Sequence, residues 1–169
     1  ASTTDYLLYG KTLMLHAFGK CDALRTTGRY PFYFIAECRI SNPLSLHQEL
    51  IKEGYLGFPT IQELLYTYKV SELKIIAESI GCPKGGTKDI LIQRIIENMD
   101  NKSILNFIKK TELYSLTEKG HFFLQDNWDL VELHRHQEYS ISLSEFIAHR
   151  FVGNKKRTFY DNAFHIVSN

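Results

Sequence analysis

Helix-start signals recur along most of this chain, and they constrain its fold more than any other feature. Between residues 45 and 145 a Ser or Thr repeatedly stands just ahead of a short apolar-periodic run. Ser45-x-x-Gln48, Thr60-x-x-Glu63 and Ser142-x-x-Glu145 read as capping boxes. In such a box the hydroxyl accepts from an orphan amide while the Glu or Gln side chain reaches back to the cap N–H. The first predicts a helix carrying Leu46, Leu50 and Ile51 that closes near Gly54; the second predicts one carrying Ile61, Leu64, Leu65 and Tyr68. Ser71 is the expected cap of a helix with Leu73, Ile76, Ala77 and Ile80 at i, i+3, i+4 and i+7, one continuous apolar stripe. Gly81 should end it, because glycine accepts the left-handed conformation at a helix C-terminus. A tight linker over 82–86 follows, then Thr87 as the cap of a helix turning Leu91, Ile92 and Ile95 inward.

Further short helices are expected at 103–110, after Thr117 (with Phe122, Phe123 and Leu124), at 128–136 and at 146–151, with an extended stretch at 113–116. The fold class is therefore α+β, mostly α: two short amphipathic helices joined by a Gly-rich turn, embedded among other short helices, with a small N-terminal β element. The β element comes from residues 32–40, where Phe34, Ala36, Cys38 and Ile40 alternate with Glu37 and Arg39 in the manner of a half-buried strand. Periodicity does not decide between helix and strand for residues 6–18. The organisation is an N-terminal segment to 42, two helices over 43–68, the module at 69–98, a helical region over 99–152 and a basic, aromatic tail over 153–169.

Composition excludes several classes. Apolar residues are 44% and charged residues 23% of 169, the balance of a globular chain rather than a disordered tail. Lys plus Arg number 20 against 19 for Asp plus Glu, so contact with a polyanion must come from a local patch. Three cysteines, Cys21, Cys38 and Cys82, leave one unpaired under any disulfide scheme, which points to a reducing, cytoplasmic setting. No apolar run approaches membrane-spanning length, and the first residues lack the basic start and apolar block of a signal peptide.

Residues 69–98, KVSELKIIAESIGCPKGGTKDILIQRIIEN, resemble a SAP domain. The likeness rests on Val70, Leu73, Ile76 and Ile80 in the first helix, on Gly86-Thr87-Lys88, and on Leu91, Ile92, Arg94 and Ile95 in the second. Cys82 departs from the usual aliphatic residue and Gly85 from the usual small polar one. The flanking stretches are similar to SAP-containing proteins of Gram-positive bacteria and their phages, and residues 113–120 look like the wing-to-helix passage of winged-helix proteins. The SAP resemblance implies a helix–extended loop–helix module of a kind that often binds duplex DNA and tends to prefer A/T-rich sequence. The residues supply a reason of their own: loop amides at Gly85 and Gly86 and the helix start at Thr87 offer N–H groups to a phosphate. Lys74, Lys84, Lys88 and Arg94 add charge, and Lys155, Lys156 and Arg157 of the tail are candidate accessory phosphate contacts.

The expected function is thus non-enzymatic DNA binding, with a protein–protein interaction module as the alternative. A divalent-metal nuclease using Asp126, Asp129, Glu132 and His134 is a remote third. No phosphate-binding loop, nucleophile elbow or dinucleotide fingerprint is present in the sequence. His134 and His136 lie two apart, on opposite helix faces, so no metal or other cofactor is expected.

Overall fold

The computed structural model describes residues 1–168. Its longest element, α1 (Thr3–Phe18), settles the N-terminal region as helical. Ser2 accepts from the Asp5 N–H and Asp5 returns the bond to the Ser2 N–H, closing a capping box at the chain start. Tyr9, Gly10, Thr12, Leu13, Met14, Leu15 and Phe18 are all buried, so α1 is covered on almost every side and shows no narrow apolar stripe. It packs against α3 (Pro43–Lys52), α8 (Glu118–Asp126), α9 (Trp128–Arg135) and α10 (Leu143–Ala148).

Residues 32–40 form no strand. They make a four-residue helix, α2 (Tyr33–Ala36), followed by a turn in which Arg39 has φ +54°. With α1 helical, no neighbour is left to complete a ladder, and an unpaired strand would bury unsatisfied amides. Phe34 and Cys38, four apart, are the buried pair, whereas Ala36 is exposed. The cap of α3 is also shifted: Asn42, not Ser45, accepts from the Ser45 N–H, with Pro43 in the first turn where its missing N–H costs nothing.

After β1 (Leu56–Gly57) the chain runs through α4 (Ile61–Tyr66), α5 (Val70–Ser79), α6 (Lys88–Asn98) and α7 (Asn101–Lys110) before returning in β2 (Ser115–Leu116). β1 and β2 pair antiparallel, Leu56 with Leu116 and Gly57 with Ser115, and Lys20 bridges to Ser115 from the other side. The Thr60–Glu63 box is formed in both directions. Helix α5 starts before Ser71, with the Glu72 carboxylate accepting from the Lys69 N–H. Leu65, Leu73, Ala77, Cys82, Leu91, Ile92 and Ile95 form a core of their own, each large side chain contributing about 1.5–3 kcal/mol by its burial. A small cluster of Cys21, Leu64, Ile108 and Leu113 adjoins this core and shares Ile61, Tyr68 and Phe107 with it.

Thr117 caps α8 as expected, and Gly120 lies directly under the Tyr55 carbonyl. The predicted helix at 146–151 ends early. α10 stops at Ala148, and Phe151–Val152 (β3) turns at Gly153 (φ +60°) to pair with Lys155–Lys156 (β4). The expected tail is instead this hairpin followed by α11 (Phe159–Ser168), which buries Phe159, Asn162 and Ala163. The three cysteines are free and buried, and no helix among the described residues is long and apolar enough to cross a membrane.

Candidate nucleic-acid interface

The turn between α5 and α6 projects outward, with residues 83–87 exposed. Gly81 ends α5 at φ +75°, and the Cys82 N–H bonds back to the Ala77 carbonyl. Gly86, at φ +105°, then lets the chain reverse into α6, where Thr87 accepts from the Ile90 N–H at 3.3 Å. The shape of the turn is fixed from below. One Arg94 guanidinium nitrogen donates to the Pro83 carbonyl at 2.7 Å and to the Gly85 carbonyl at 2.8 Å. In a trans peptide the C=O and the following N–H point oppositely, and no cis peptide interrupts the described chain. Drawing these two carbonyls toward Arg94 therefore turns the Lys84 and Gly86 N–H groups toward solvent. Among the described residues no acceptor meets either one.

The cations expected to join this tip divide into two groups. Lys84 is exposed and 3.4 Å from the still more exposed Glu78 carboxylate, a weak pair. Lys74 is exposed one turn before Glu78 on the same face of α5. Arg94, by contrast, spends its donors on the turn itself. Lys88 donates to the Tyr66 carbonyl at 2.9 Å and lies 5.7 Å over the Tyr66 ring, tying α6 to α4. Asp89 accepts from the Tyr66 hydroxyl in the same junction. The tip thus presents amides, Lys84 and Lys74, with Glu78 between them as an opposing charge.

The hairpin cations lie with the main core, away from the α5–α6 core. Lys156 pairs with Asp129 at 2.9 Å, and Arg157 donates to the His149 carbonyl at 2.7 Å; Lys155 alone of the three points out without a partner among the described residues. Asp129 is itself buried, held by two 2.8 Å bonds from Arg150, which also reaches Asn127. His134 faces Glu37 at 2.8 Å. The four nuclease candidates are therefore not gathered around one point, and no group of metal-ligating side chains occurs among the described residues.

A second cationic site was not signalled by any motif. Two adjoining clefts, about 310 and 490 Å³, share His16, Lys20 and Arg135. Arg25, Tyr33 and Asp22 close the smaller, while Trp128 and His121 line the larger. Arg135 lies 5.3 Å over the Trp128 ring and 3.2 Å from His16 Nε2. Burial, reinforced by Lys20, Arg135 and His134, pushes the His16 imidazole down to about 4, so it is neutral and accepts from Arg135. The only sequence hint was His16 four residues before Lys20; Arg25 and Arg135 reach the same place only through the fold. No family model, curated protein or solved structure matches this chain.

Proposed function

We propose that the protein binds duplex DNA through the α5–α6 turn, as its resemblance to SAP modules implies. One observation carries the reading: Arg94 holds the turn so that the Lys84 and Gly86 amides face solvent beside an exposed lysine. Outward amides at the start of a helix, with glycine allowing close approach, suit a phosphate oxygen. Lys74 and Lys84 add two charges, so the logarithm of affinity should fall against the logarithm of salt with a slope of about −2. Lys88 and Arg94 shape the site rather than touch the phosphates. Contacts of this kind read backbone and groove shape, not base edges.

The test is a duplex titration with two opposed variants. Lys84→Gln should weaken binding and flatten the slope by about one unit, while Glu78→Gln should tighten binding by removing the opposing carboxylate. If both leave the titration unchanged, the reading fails. Ile75 and Ile90, 67% and 52% exposed on these same two helices, favour a second reading in which the pair docks a protein. Salt-insensitive association lost on Ile75→Asp would select it.

A further inference from the structure

We propose that the cleft bounded by Lys20, Arg25 and Arg135 holds the phosphate of a nucleotide, either free or at the end of a nucleic-acid strand. This goes beyond the duplex contact and uses none of its residues. Three cations converge here from two separate parts of the chain, the turn after α1 and the end of α9. None of the three forms an ion pair with a carboxylate among the described residues. Asp22, the acid lining the smaller cleft, accepts from the Leu24 N–H at 2.9 Å, and Glu63, lining the larger, accepts from the Thr60 N–H at 3.0 Å and the Ser115 hydroxyl at 2.8 Å. Three cations against one carboxylate leave the smaller cleft with a net positive charge, and an anion there relieves the repulsion among them.

The chemistry narrows the anion. Two guanidinium groups and an ammonium give forked and point donors matched to the several oxygens of a phosphate dianion. A cleft of about 310 Å³ accommodates a phosphate and its sugar but not the width of a duplex. Immediately beside it, sharing Arg135 and His16, Trp128 is 36% exposed with the Arg135 guanidinium over its ring and His16 at right angles to it, an aromatic–guanidinium surface of the kind on which a base stacks. Phosphate next to an aromatic wall is the recognition pattern of a nucleotide.

Trp128 is the chain's one tryptophan, so intrinsic emission reports on this cleft directly. The full chain is titrated with inorganic phosphate, adenosine 5′-monophosphate and adenosine, then with oligothymidylate bearing a 5′-phosphate or a 5′-hydroxyl. Saturable emission changes are expected with the probes that carry a phosphate dianion (inorganic phosphate, the mononucleotide and the 5′-phosphorylated strand) and not with adenosine or the 5′-hydroxyl strand, which has only internal phosphodiesters. Response to the mononucleotide identifies a free nucleotide as sufficient; response to the phosphorylated strand alone identifies a strand end. Arg25→Gln and Lys20→Gln, both outside the core, should each weaken binding about tenfold, the worth of one charge-assisted hydrogen bond. As a readout independent of emission, inorganic phosphate should raise the thermal midpoint of the native chain over chloride of equal ionic strength, and of these variants less. Lys84→Gln should leave every one of these responses intact, which separates this site from the duplex contact. Absence of a saturable response, equal response to adenosine and its monophosphate, or native binding by both variants overturns the proposal.

Discussion

Replacing Arg94 with Met separates a cation that touches phosphate from one that only holds the turn. The variant keeps most of the methylene stem and removes the donors to Pro83 and Gly85. Two charge-assisted bonds would be worth about 1.5–3 kcal/mol each if fully shielded. This guanidinium is half-exposed, so water competes and about 1–2 kcal/mol for the pair is the appropriate scale. Once released, the turn samples conformations in which the Lys84 and Gly86 amides no longer face outward, and binding must reorder it. Duplex affinity should therefore fall about tenfold, the equivalent of 1.4 kcal/mol. The salt slope should stay near the native value of about −2, because no phosphate-neutralising charge has been lost. Fluorescence anisotropy with a short labelled duplex across a series of NaCl concentrations gives both quantities. A slope reduced by about one unit in Arg94→Met would place Arg94 on a phosphate and refute the reasoning.

Asp129→Ala should cost about 3–5 kcal/mol in urea unfolding, because it strands the buried Arg150; a loss under about 1 kcal/mol would mean that water reaches the pair. Gly120→Ala drives a methyl into the Tyr55 carbonyl and should destabilise by about 1–3 kcal/mol. Its control, Gly85→Ala, meets nothing and should stay within about 0.5 kcal/mol. Burial lowers the His47 imidazole from 6.5 to about 4. The unfolded chain therefore binds the extra proton first as pH drops. The stabilisation from keeping this ring neutral is whole above pH 6.5 and is lost as pH falls toward 4. For this fully buried ring the loss is about 3 kcal/mol. His47→Gln should flatten that part of the stability–pH profile, and an unchanged profile would show that the ring does not titrate on unfolding.

The α5–α6 pair was legible because its apolar residues follow helical spacing and glycine marks both the end of α5 and the turn. The Thr60 box, the caps at Thr87 and Thr117 and the extended 113–116 stretch were equally plain, since each is a local hydrogen-bond requirement. The N-terminal third was not. α1 is buried nearly all round, so periodicity had no polar face to contrast with, and its one clear mark, Ser2 with Asp5, sits at the chain start. Residues 32–40 alternate yet bury only Phe34 and Cys38, a four-residue spacing that fits a helical turn equally well. At the tip, sequence located Gly86 and Thr87 but could not show where long side chains lead. Lys88 and Arg94 turn inward to carbonyls, while Lys20, Arg25 and Arg135 meet only through tertiary packing.

The ribbon formed by β1 and β2 has a consequence for how this protein could be remade. Gly57 and Ser115 are cross-strand partners, so everything from residue 58 to 114 leaves and rejoins the body at adjacent points. Such a layout is a cassette: an insert whose ends already touch can be exchanged or excised without stretching its host. Joining the two strands by a short Gly-Asn turn should leave the α1-centred scaffold with its aromatic interior, apart from Tyr114, which packs on His47, and the few side chains that lean on Cys21. The excised piece carries its own apolar centre and could be grafted onto any hairpin with the same register.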